Sequence, residues 1–187
     1  MNLLHDIPAG DPKDLVNVII EIPTGSGIKY EYDKDKQIIV ADRFLYTAFR
    51  YPFNYGFIPG TWSNDEDPLD VVVVSSEAVS TGTLIECRVI GMLATEDEEG
   101  EDAKLIAVPK GKVDPAYKDV NSIDDLPEYL TNKIKHFYEN YKSIEPNKWV
   151  KVTGWKSKEE AQKTVEDSIE RYKQSLSLRE KKTSRNN

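Results

Sequence analysis

The sequence predicts an α+β fold, mainly of β-strands, with two helices in the last third of the chain. As far as Val108, apolar residues alternate with polar ones or form short runs between turn residues, which is typical of strands. From Ile123 onwards, apolar residues recur at steps of three and four, as on one face of a helix. No repeat, linker or sharp change in composition divides the chain. We therefore expect a single domain over residues 1–187, a small, largely antiparallel barrel or sheet with two helices packed outside it.

The composition limits the possible partners. The chain has 33 acidic and 25 basic residues, a net charge of -8, which argues against a surface that neutralises nucleic-acid phosphates. No apolar run approaches the roughly 18–20 residues of a membrane span, and the N-terminus lacks the apolar core of a signal peptide. The single cysteine, Cys87, permits no intramolecular disulfide, which is consistent with a reducing compartment. We expect a soluble, cytoplasmic protein with neither a nucleic-acid nor a membrane partner.

The first predicted elements are a strand and a hairpin. Residues 16–22 alternate as a strand that leaves Glu21 on the face opposite its main apolar side. Residues 29–32 and 37–41 flank a polar turn and predict a hairpin, in which Lys29 and Glu31 share one face. The ordinary explanation of such a lysine–glutamate pair is solvent exposure, so the pair alone indicates no function.

The segment from Arg50 to Trp62 contains five aromatic residues, two prolines and two glycines. This composition excludes a helix interior and predicts a stiff loop or an irregular strand. Its tyrosines, Tyr51 and Tyr55, could be core residues with satisfied hydroxyls or could present those hydroxyls to a cleft.

An acidic hexapeptide, Asp65 to Asp70, follows this segment and precedes a run of four valines that predicts a buried strand. In extended backbone, Asp65 and Asp67 place their carboxylates on the same side, and Pro68 restricts the chain before Asp70. Oxygen ligands at this density suit a hard divalent cation such as Mg²⁺. An EF-hand loop is excluded because its sixth position would be Asp70 and its twelfth Ser76. The remaining alternative is a solvated acidic loop.

Beyond the valines, Gly82 separates two further predicted strands, of which the second covers residues 83–93. A second acidic group occupies residues 95–104, and residues 105–108 form another apolar strand. An acidic hairpin tip is ordinarily a solvated turn. Here, however, carboxylates again lie at the ends of predicted strands.

In the last third, the periodicity predicts a helix over about residues 124–142, with Pro127 in its first turn. Residues 149–155 alternate as a final strand. A second helix begins at Ser157, whose spacing to Glu160 fits a capping box. Residues 179–187 form a charged tail that we expect to fray.

Carboxylates, cations and tyrosines therefore occur together at predicted strand faces and strand ends. If they converge, the carboxylates outnumber the cations, and about two to four bound Mg²⁺ ions would be needed to attract an anion. Water held between two such ions would ionise near neutral pH, which is the chemistry of metal-assisted phosphoanhydride hydrolysis. The residues are Glu21, Lys29, Glu31, Arg43, Tyr51, Tyr55, Asp65, Asp67, Asp70, Asp97, Asp102, Lys104, Tyr141 and Lys142.

At these residues the chain closely resembles the family I soluble inorganic pyrophosphatases in their short prokaryotic form. The resemblance extends from Ile20 to about Trp155 and depends on the joint order of several short motifs. One position departs from the family pattern: Glu66 stands where a small or polar residue is usual. The motifs are Glu-Ile-Pro at 21–23, Lys-Tyr-Glu at 29–31, Asp-Arg at 42–43, residues 50–60, Asp-Glu-Asp-Pro-Leu-Asp at 65–70, residues 97–104 and Tyr-Lys at 141–142.

The resemblance implies a five-stranded OB-like antiparallel barrel with two packed helices, assembled as a homohexamer. It also implies Mg²⁺-dependent hydrolysis of inorganic diphosphate, with Asp67 as the general base. Asp65, Asp70 and Asp102 would bind the metals beside the nucleophile, Asp97 would bind a substrate-linked metal, and Glu21 and Glu31 would act through water. Diphosphate would be bound by Lys29, Arg43, Lys104, Tyr55, Tyr141 and Lys142, in a pocket shaped by Tyr51.

The main alternative is an OB-like binding module without catalysis. Such modules bind nucleic acid through a basic groove with stacking aromatic residues, and the acidic balance of this chain opposes that interpretation. The sequence leaves open the number of bound metals, the preferred metal and the effect of Glu66.

Overall fold

The computed structural model describes residues 1–64, 67–98 and 100–183, with side chains described as far as Leu178. Asp65, Glu66, Glu99 and residues 184–187 lie outside the described residues. Short 3₁₀ turns occur at Pro115–Tyr117 and Ile123–Asp125. The other elements are β1 (Val16–Ile22), β2 (Ile28–Asp33), β3 (Ile38–Phe44), β4 (Asn54–Ile58), β5 (Leu69–Val73), β6 (Leu84–Asp97), β7 (Gly100–Glu101), β8 (Lys104–Pro109), α1 (Glu128–Asn140), β9 (Val150–Lys156) and α2 (Lys158–Thr183).

Within the described residues, five strands close into a ring in the order β1, β4, β5, β8, β6, and β6 pairs again with β1. The predicted five-stranded OB-like barrel with two helices is thus confirmed. All pairs in the ring are antiparallel except β5 and β8, which run parallel with Val71 opposite Leu105. Strands β7 and β9 extend the sheet along β6, whereas β2 and β3 form a separate hairpin.

The strands of the barrel are buried on both faces. One face of β1 packs Val16, Val18 and Ile20 into a cluster that also contains Ala161 and Val165 of α2. The other face of the barrel wall contributes to a cluster that contains residues of α1. Each fully buried aliphatic side chain stabilises the fold by about 1.5–3 kcal/mol. The four consecutive valines before Ser75 reflect this burial, since a strand covered on both sides needs no polar alternation.

Gly56 lets β4 approach β1 closely. A Cβ atom at this position would lie 1.9 Å from the carbonyl oxygen of Ile19 and 2.9 Å from the Cα of Ile20. Both are backbone atoms of the paired strand, so any side chain here would push β1 and β4 apart. The segment rich in aromatic residues therefore includes a regular strand, and the exclusion of a helix is confirmed.

Two predicted features are wrong. No strand forms between Val74 and Gly82, because Asn54 binds this segment as a loop, accepting from Val79 N at 2.8 Å and donating to Glu77 O at 3.0 Å. Pro127 is the N-cap of α1 and not part of its first turn, since the helix begins at Glu128. The preceding Leu126 is extended (ψ 141°), as proline disfavours a helical conformation in the residue before it.

The N-terminus of α2 forms the predicted capping box. Glu160 N donates to Ser157 Oγ at 3.2 Å, and Ser157 N donates to Glu160 Oε2 at 2.9 Å. The helix continues to Thr183, into the segment expected to fray. No helix of the described chain is both long enough and apolar enough to span a membrane.

Candidate active site

A cleft of about 1080 Å³ lies at one end of the barrel. Its walls come from the β2–β3 hairpin, the loop before β5, the strands around the β6–β8 connection, and the segment after α1. The structure thus brings together residues that are widely separated in sequence. The predicted site residues that line the cleft are Glu21, Lys29, Glu31, Tyr55, Asp67, Asp70, Asp97, Asp102, Lys104, Tyr141 and Lys142.

Arg43 and Tyr51 do not line this cleft, and Asp65 lies outside the described residues. Arg43 is paired with Lys29 across the hairpin, and its Nε donates to Glu145 Oε1 at 3.2 Å. Tyr51 is buried behind the wall, with its ring centroid 5.9 Å from that of Tyr55. Both residues therefore stand next to the cleft, behind residues that line it.

Lys104 links two carboxylates at the base of the cleft. Its Nζ lies 2.6 Å from Asp102 Oδ1 and also forms a short contact with Asp70. The parallel register of β5 and β8 produces this arrangement, because Asp70 and Lys104 directly precede the paired Val71 and Leu105. Burial would lower the pKa of Lys104, but the two carboxylates outweigh it and raise the pKa, so the ammonium remains charged.

A second buried ion pair joins the segment after α1 to the end of β6. Lys142 Nζ lies 3.0 Å from Asp97 Oδ2 and 3.9 Å from Glu98 Oε1. Glu98 is also bound by Lys148. Although partial burial opposes ionisation, the contact with Lys148 and the nearby Lys142 lower the pKa of Glu98 to about 2. Glu98 thus stays ionised and holds two lysines at the edge of the cleft.

Glu21 is a buried carboxyl at the side of the cleft. Burial, together with the negative charge of Asp70, raises its pKa to about 8, and a single backbone hydrogen bond lowers the pKa by less than these two effects raise it. That bond runs from Tyr32 N to Glu21 Oε1 at 2.6 Å. Glu21 therefore tends to hold its proton mainly because it is buried, and the nearby charge of Asp70 adds to this tendency.

The β2–β3 hairpin supplies two further ion pairs. Lys29 Nζ contacts Glu31 Oε2 at 2.8 Å and Asp42 Oδ2 at 3.4 Å. At the turn of the hairpin, Lys34 Nζ lies 2.5 Å from Asp67 Oδ1. The hairpin thus reaches across the cleft to the acidic loop.

The tyrosines around the cleft are neutral hydroxyl donors. Burial raises the pKa of Tyr55 well above its usual value, and the charge of Asp70 adds to this effect. Burial likewise raises the pKa of Tyr141, despite the opposing charge of nearby Lys104. Both hydroxyls therefore keep their protons at neutral pH and can donate to an anionic ligand.

The donor set fits a hard divalent cation, although no ready-made cage is present. Across residues 1–64, 67–98 and 100–183, no group of three Asp, Glu, His or Cys side chains is close enough to hold a metal ion. Instead, Asp70, Asp97 and Asp102 each pair with a lysine. All the candidate ligands are carboxylate oxygens, the donors that a hard divalent cation prefers. Burial and then the charge of Asp70 raise the pKa of Glu21, and a divalent cation bound nearby would oppose that rise.

Several cleft residues were not anticipated from the sequence. They are lysines and carboxylates whose partners are distant in the chain, so no local spacing distinguished them from ordinary surface charges. Asp42, which contacts Lys29 next to the cleft, belongs to one of the short motifs of the sequence. The unanticipated residues that line the cleft include Lys34, Glu98 and Lys148, and Glu145 contacts Arg43 next to the cleft.

Comparison with known proteins gives one consistent result. The family model described as inorganic pyrophosphatase matches residues 18–173. The chain is 56% identical to a protein named inorganic pyrophosphatase from Saccharolobus solfataricus, over 89% of this chain and 97% of that protein. It is 54% identical to the protein of the same name from Aquifex pyrophilus, over 90% of this chain and 96% of that one.

Comparison with solved structures gives the same family. An inorganic pyrophosphatase from Coxiella burnetii superposes with a TM-score of 0.86 at 48% identity, covering 89% of this chain and 99% of that one. The inorganic pyrophosphatase of Thermus thermophilus superposes with a TM-score of 0.88 at 45% identity, covering 92% of this chain and 99% of that one.

Proposed function

The chain belongs to the inorganic pyrophosphatase family and hydrolyses diphosphate to two phosphates, and we propose that the cleft described above is where this reaction takes place. The observation that carries the assignment is the buried contact of Lys104 with Asp70 and Asp102, which joins a cation suited to phosphate with carboxylates suited to metals. The alternative of a non-catalytic OB-like binding module is not supported, since the matching relatives are named as pyrophosphatases.

In this proposal, basic side chains and tyrosine hydroxyls bind the phosphate oxygens. Lys104 and Lys142 are paired with carboxylates and would exchange them for oxygens of the substrate. Because these contacts are largely buried, the new hydrogen bonds would form in a medium that strengthens them. The full set comprises Lys29, Arg43, Tyr55, Lys104, Tyr141 and Lys142, with Tyr51 supporting Tyr55 from behind.

Asp67 is the proposed general base. It lines the cleft at its outer side, and its carboxylate is held by Lys34 at the tip of the hairpin. The base would take a proton from the attacking water while the water oxygen bonds to one phosphorus. The bond from that phosphorus to the bridging oxygen then breaks, and the second phosphate leaves with the bridging oxygen.

The proposed metal ligands are Glu21, Glu31, Asp65, Asp70, Asp97 and Asp102. When bound, Mg²⁺ supplies positive charge that neutralises phosphate oxygens and makes water more acidic. The carboxylates contribute by holding that charge beside the lysines, and Lys104 keeps Asp70 and Asp102 aligned until metal and substrate arrive. The choice of Mg²⁺ among divalent cations rests on the all-oxygen donor set.

We further propose a homohexamer in the cytoplasm. Apolar side chains such as Phe44, Ile144 and Leu84 are exposed, which supports association between copies. The single cysteine is consistent with a reducing compartment. Sedimentation of the purified protein tests the assembly, and a monomeric mass at micromolar concentration would contradict it.

Release of phosphate from diphosphate tests the function directly. With Mg²⁺ present, the purified protein should release two phosphates per diphosphate. An excess of EDTA should abolish the release, because without the metal the carboxylates of the cleft stay paired with its lysines and no metal makes the attacking water more acidic. Re-addition of Mg²⁺ should restore it. Release that persists unchanged in EDTA would contradict the proposed metal site.

A further inference from the structure

The acidic loop that carries Asp67 begins after Trp62, and this start of the loop is attached to the middle of α2. Trp62 N donates to the carbonyl oxygen of Ser168 at 3.0 Å. The carbonyl oxygen of the same tryptophan accepts from Arg171 Nε at 2.9 Å. Both backbone groups of Trp62 are therefore held by one turn of a helix that lies more than a hundred positions further along the chain.

Side chains reinforce this attachment. Trp62 Nε1 donates to Ser175 Oγ at 2.9 Å, and its ring packs edge-on against Tyr172 with 5.6 Å between centroids. Arg171 Nη2 donates to Ser168 Oγ at 2.6 Å, so the guanidinium bridges the helix and the loop. Trp62 itself is buried. The start of the loop is thus fixed by backbone, indole and guanidinium contacts together.

From Trp62 the constraint passes directly to Asp67. Ser63 N, the next amide in the chain, donates to the carbonyl oxygen of Asp67 at 2.8 Å. On the opposite side, Lys34 Nζ lies 5.4 Å from the centroid of the Trp62 ring and 2.5 Å from Asp67 Oδ1. Any shift of Trp62 therefore changes both the backbone and the side-chain contacts of Asp67.

We propose that Arg171 is a positioning residue for hydrolysis, which holds Trp62 so that Asp67 lies at the correct place in the cleft. The inference rests on the proposed role of Asp67 as the base. Arg171 suits this task because a charged, planar donor forms stronger and more directional hydrogen bonds than a neutral one. Catalysis requires placement to within about 0.5 Å, which a loop without such support does not provide.

Arg171 is not needed to attach α2 to the barrel. Ala161 and Val165 of the same helix are fully buried in the barrel core, and the capping box fixes its start. Removing the guanidinium should therefore loosen the loop while leaving the helix in place. This separation makes the proposal testable apart from overall stability.

The test compares Arg171→Met, which keeps the apolar stem but removes every donor, with Lys173→Met. Lys173 is exposed on the same helix, so its replacement removes one positive charge without touching the loop. In Arg171→Met, the amides of Trp62 and Ser63 should exchange with solvent at least roughly tenfold faster, as expected for a lost charge-assisted hydrogen bond. Amides of β1, such as that of Val18, should not change in either variant.

In the same variant, kcat should fall roughly 10- to 100-fold, the usual effect of a misplaced catalytic group. The KM for diphosphate should stay within about twofold, because Arg171 lines the cleft but its described hydrogen bonds go to Trp62 and Ser168 and not to the proposed phosphate-binding residues. Arg171→Lys should recover part of kcat and part of the protection of the Trp62 and Ser63 amides from exchange, since one donor can still reach the carbonyl oxygen of Trp62. Lys173→Met should match the unmodified protein.

Unchanged exchange at Trp62 and Ser63 in Arg171→Met would overturn the proposal. Equal acceleration at Val18 would overturn it as well, because the role of Arg171 would then be general stability. A failure of Asp67 as the base would show separately, as full turnover in Asp67→Asn. The exchange measurement does not depend on that result.

Discussion

Lys104 shows how one residue can connect the phosphate-binding cations of the cleft with its metal-binding carboxylates. Its ammonium is buried between Asp70 and Asp102, and it stays protonated because their charges outweigh the effect of burial. Removing one partner of such a buried pair costs far more than removing both, since an uncompensated charge remains. The carboxylates and lysines of the cleft therefore depend on one another until substrate and metal replace the internal pairs.

Asp67 differs from these buried groups, because it is exposed at the rim of the cleft and contacts Lys34. Asp67→Asn keeps the size of the side chain but removes the proton acceptor. We expect turnover to fall by roughly 10²–10⁴-fold, the usual contribution of a general base, with little change in Tm. Steady-state phosphate release and thermal unfolding measure the two quantities.

Asp119→Asn is the matched control for this substitution. Asp119 is highly exposed, and its described ion pair is a distant one of 3.9 Å with Lys118. This variant should keep full turnover. If Asp67→Asn also kept full turnover, Asp67 would not be the base.

The strands and loops determine how the site residues meet. The parallel pairing of β5 with β8 places Asp70 beside Lys104, and the antiparallel pairing of β6 with β9 brings the end of β6 close to the segment after α1. The β2–β3 hairpin is a separate sheet, so it can place Lys29 and Lys34 over the open end of the barrel. Each wall of the cleft thus belongs to a different structural unit.

Gly56 is the position in these strands where substitution should be most disruptive. In Gly56→Ala, the new Cβ would meet backbone atoms of β1, so the strands must separate and the free energy of unfolding should fall by about 1–3 kcal/mol or more. Denaturant titration measures this change. Because Tyr55 precedes Gly56 in the same strand, turnover should fall as well.

Gly27→Ala is the appropriate comparison. A Cβ at Gly27 would lie 3.0 Å from the guanidinium of Arg50, a flexible group that can move. Its effect should stay within about 0.5 kcal/mol, as for other surface substitutions. Equal destabilisation by both substitutions would show that close strand contact is not what requires glycine at position 56.

Considered as a whole, the protein concentrates carboxylates from separate parts of the chain around one cleft while carrying a net charge of -8. The barrel supplies a rigid, fully buried wall, and the charged groups lie where its strands end. Folding therefore brings like charges together, and this repulsion is balanced only partly by the lysines. A bound divalent cation should stabilise the folded state more than the unfolded state.

Mg²⁺ should accordingly raise the Tm of the protein. At a concentration of about 100 times its dissociation constant, one bound ion that has no affinity for the unfolded chain adds about 2.7 kcal/mol. Differential scanning calorimetry with Mg²⁺, and with NaCl at equal ionic strength as the control, separates binding from general screening. Equal effects of the two salts would contradict specific metal binding.

Much of the fold followed from local patterns. Residues 16–22 form the predicted strand with its predicted ends, and Ser157 and Glu160 form the predicted capping box. These features depend on periodicity and on residues a few positions apart, so the chain itself specifies them. The chemical types of the site residues, carboxylates with lysines and tyrosines, were also evident from short motifs.

The contacts that connect those residues depended on the folded chain. Lys34 reaches Asp67 across 33 positions, Lys104 reaches Asp70 across 34, and Arg171 reaches Trp62 across 109. Such contacts depend on strand register, on closure of β6 against β1 and on the placement of α2, none of which leaves a periodic signal. The acidic hexapeptide therefore indicated a metal site by its composition, whereas the fold determined which lysine, helix and hairpin hold each carboxylate, because long-range packing selects these partners.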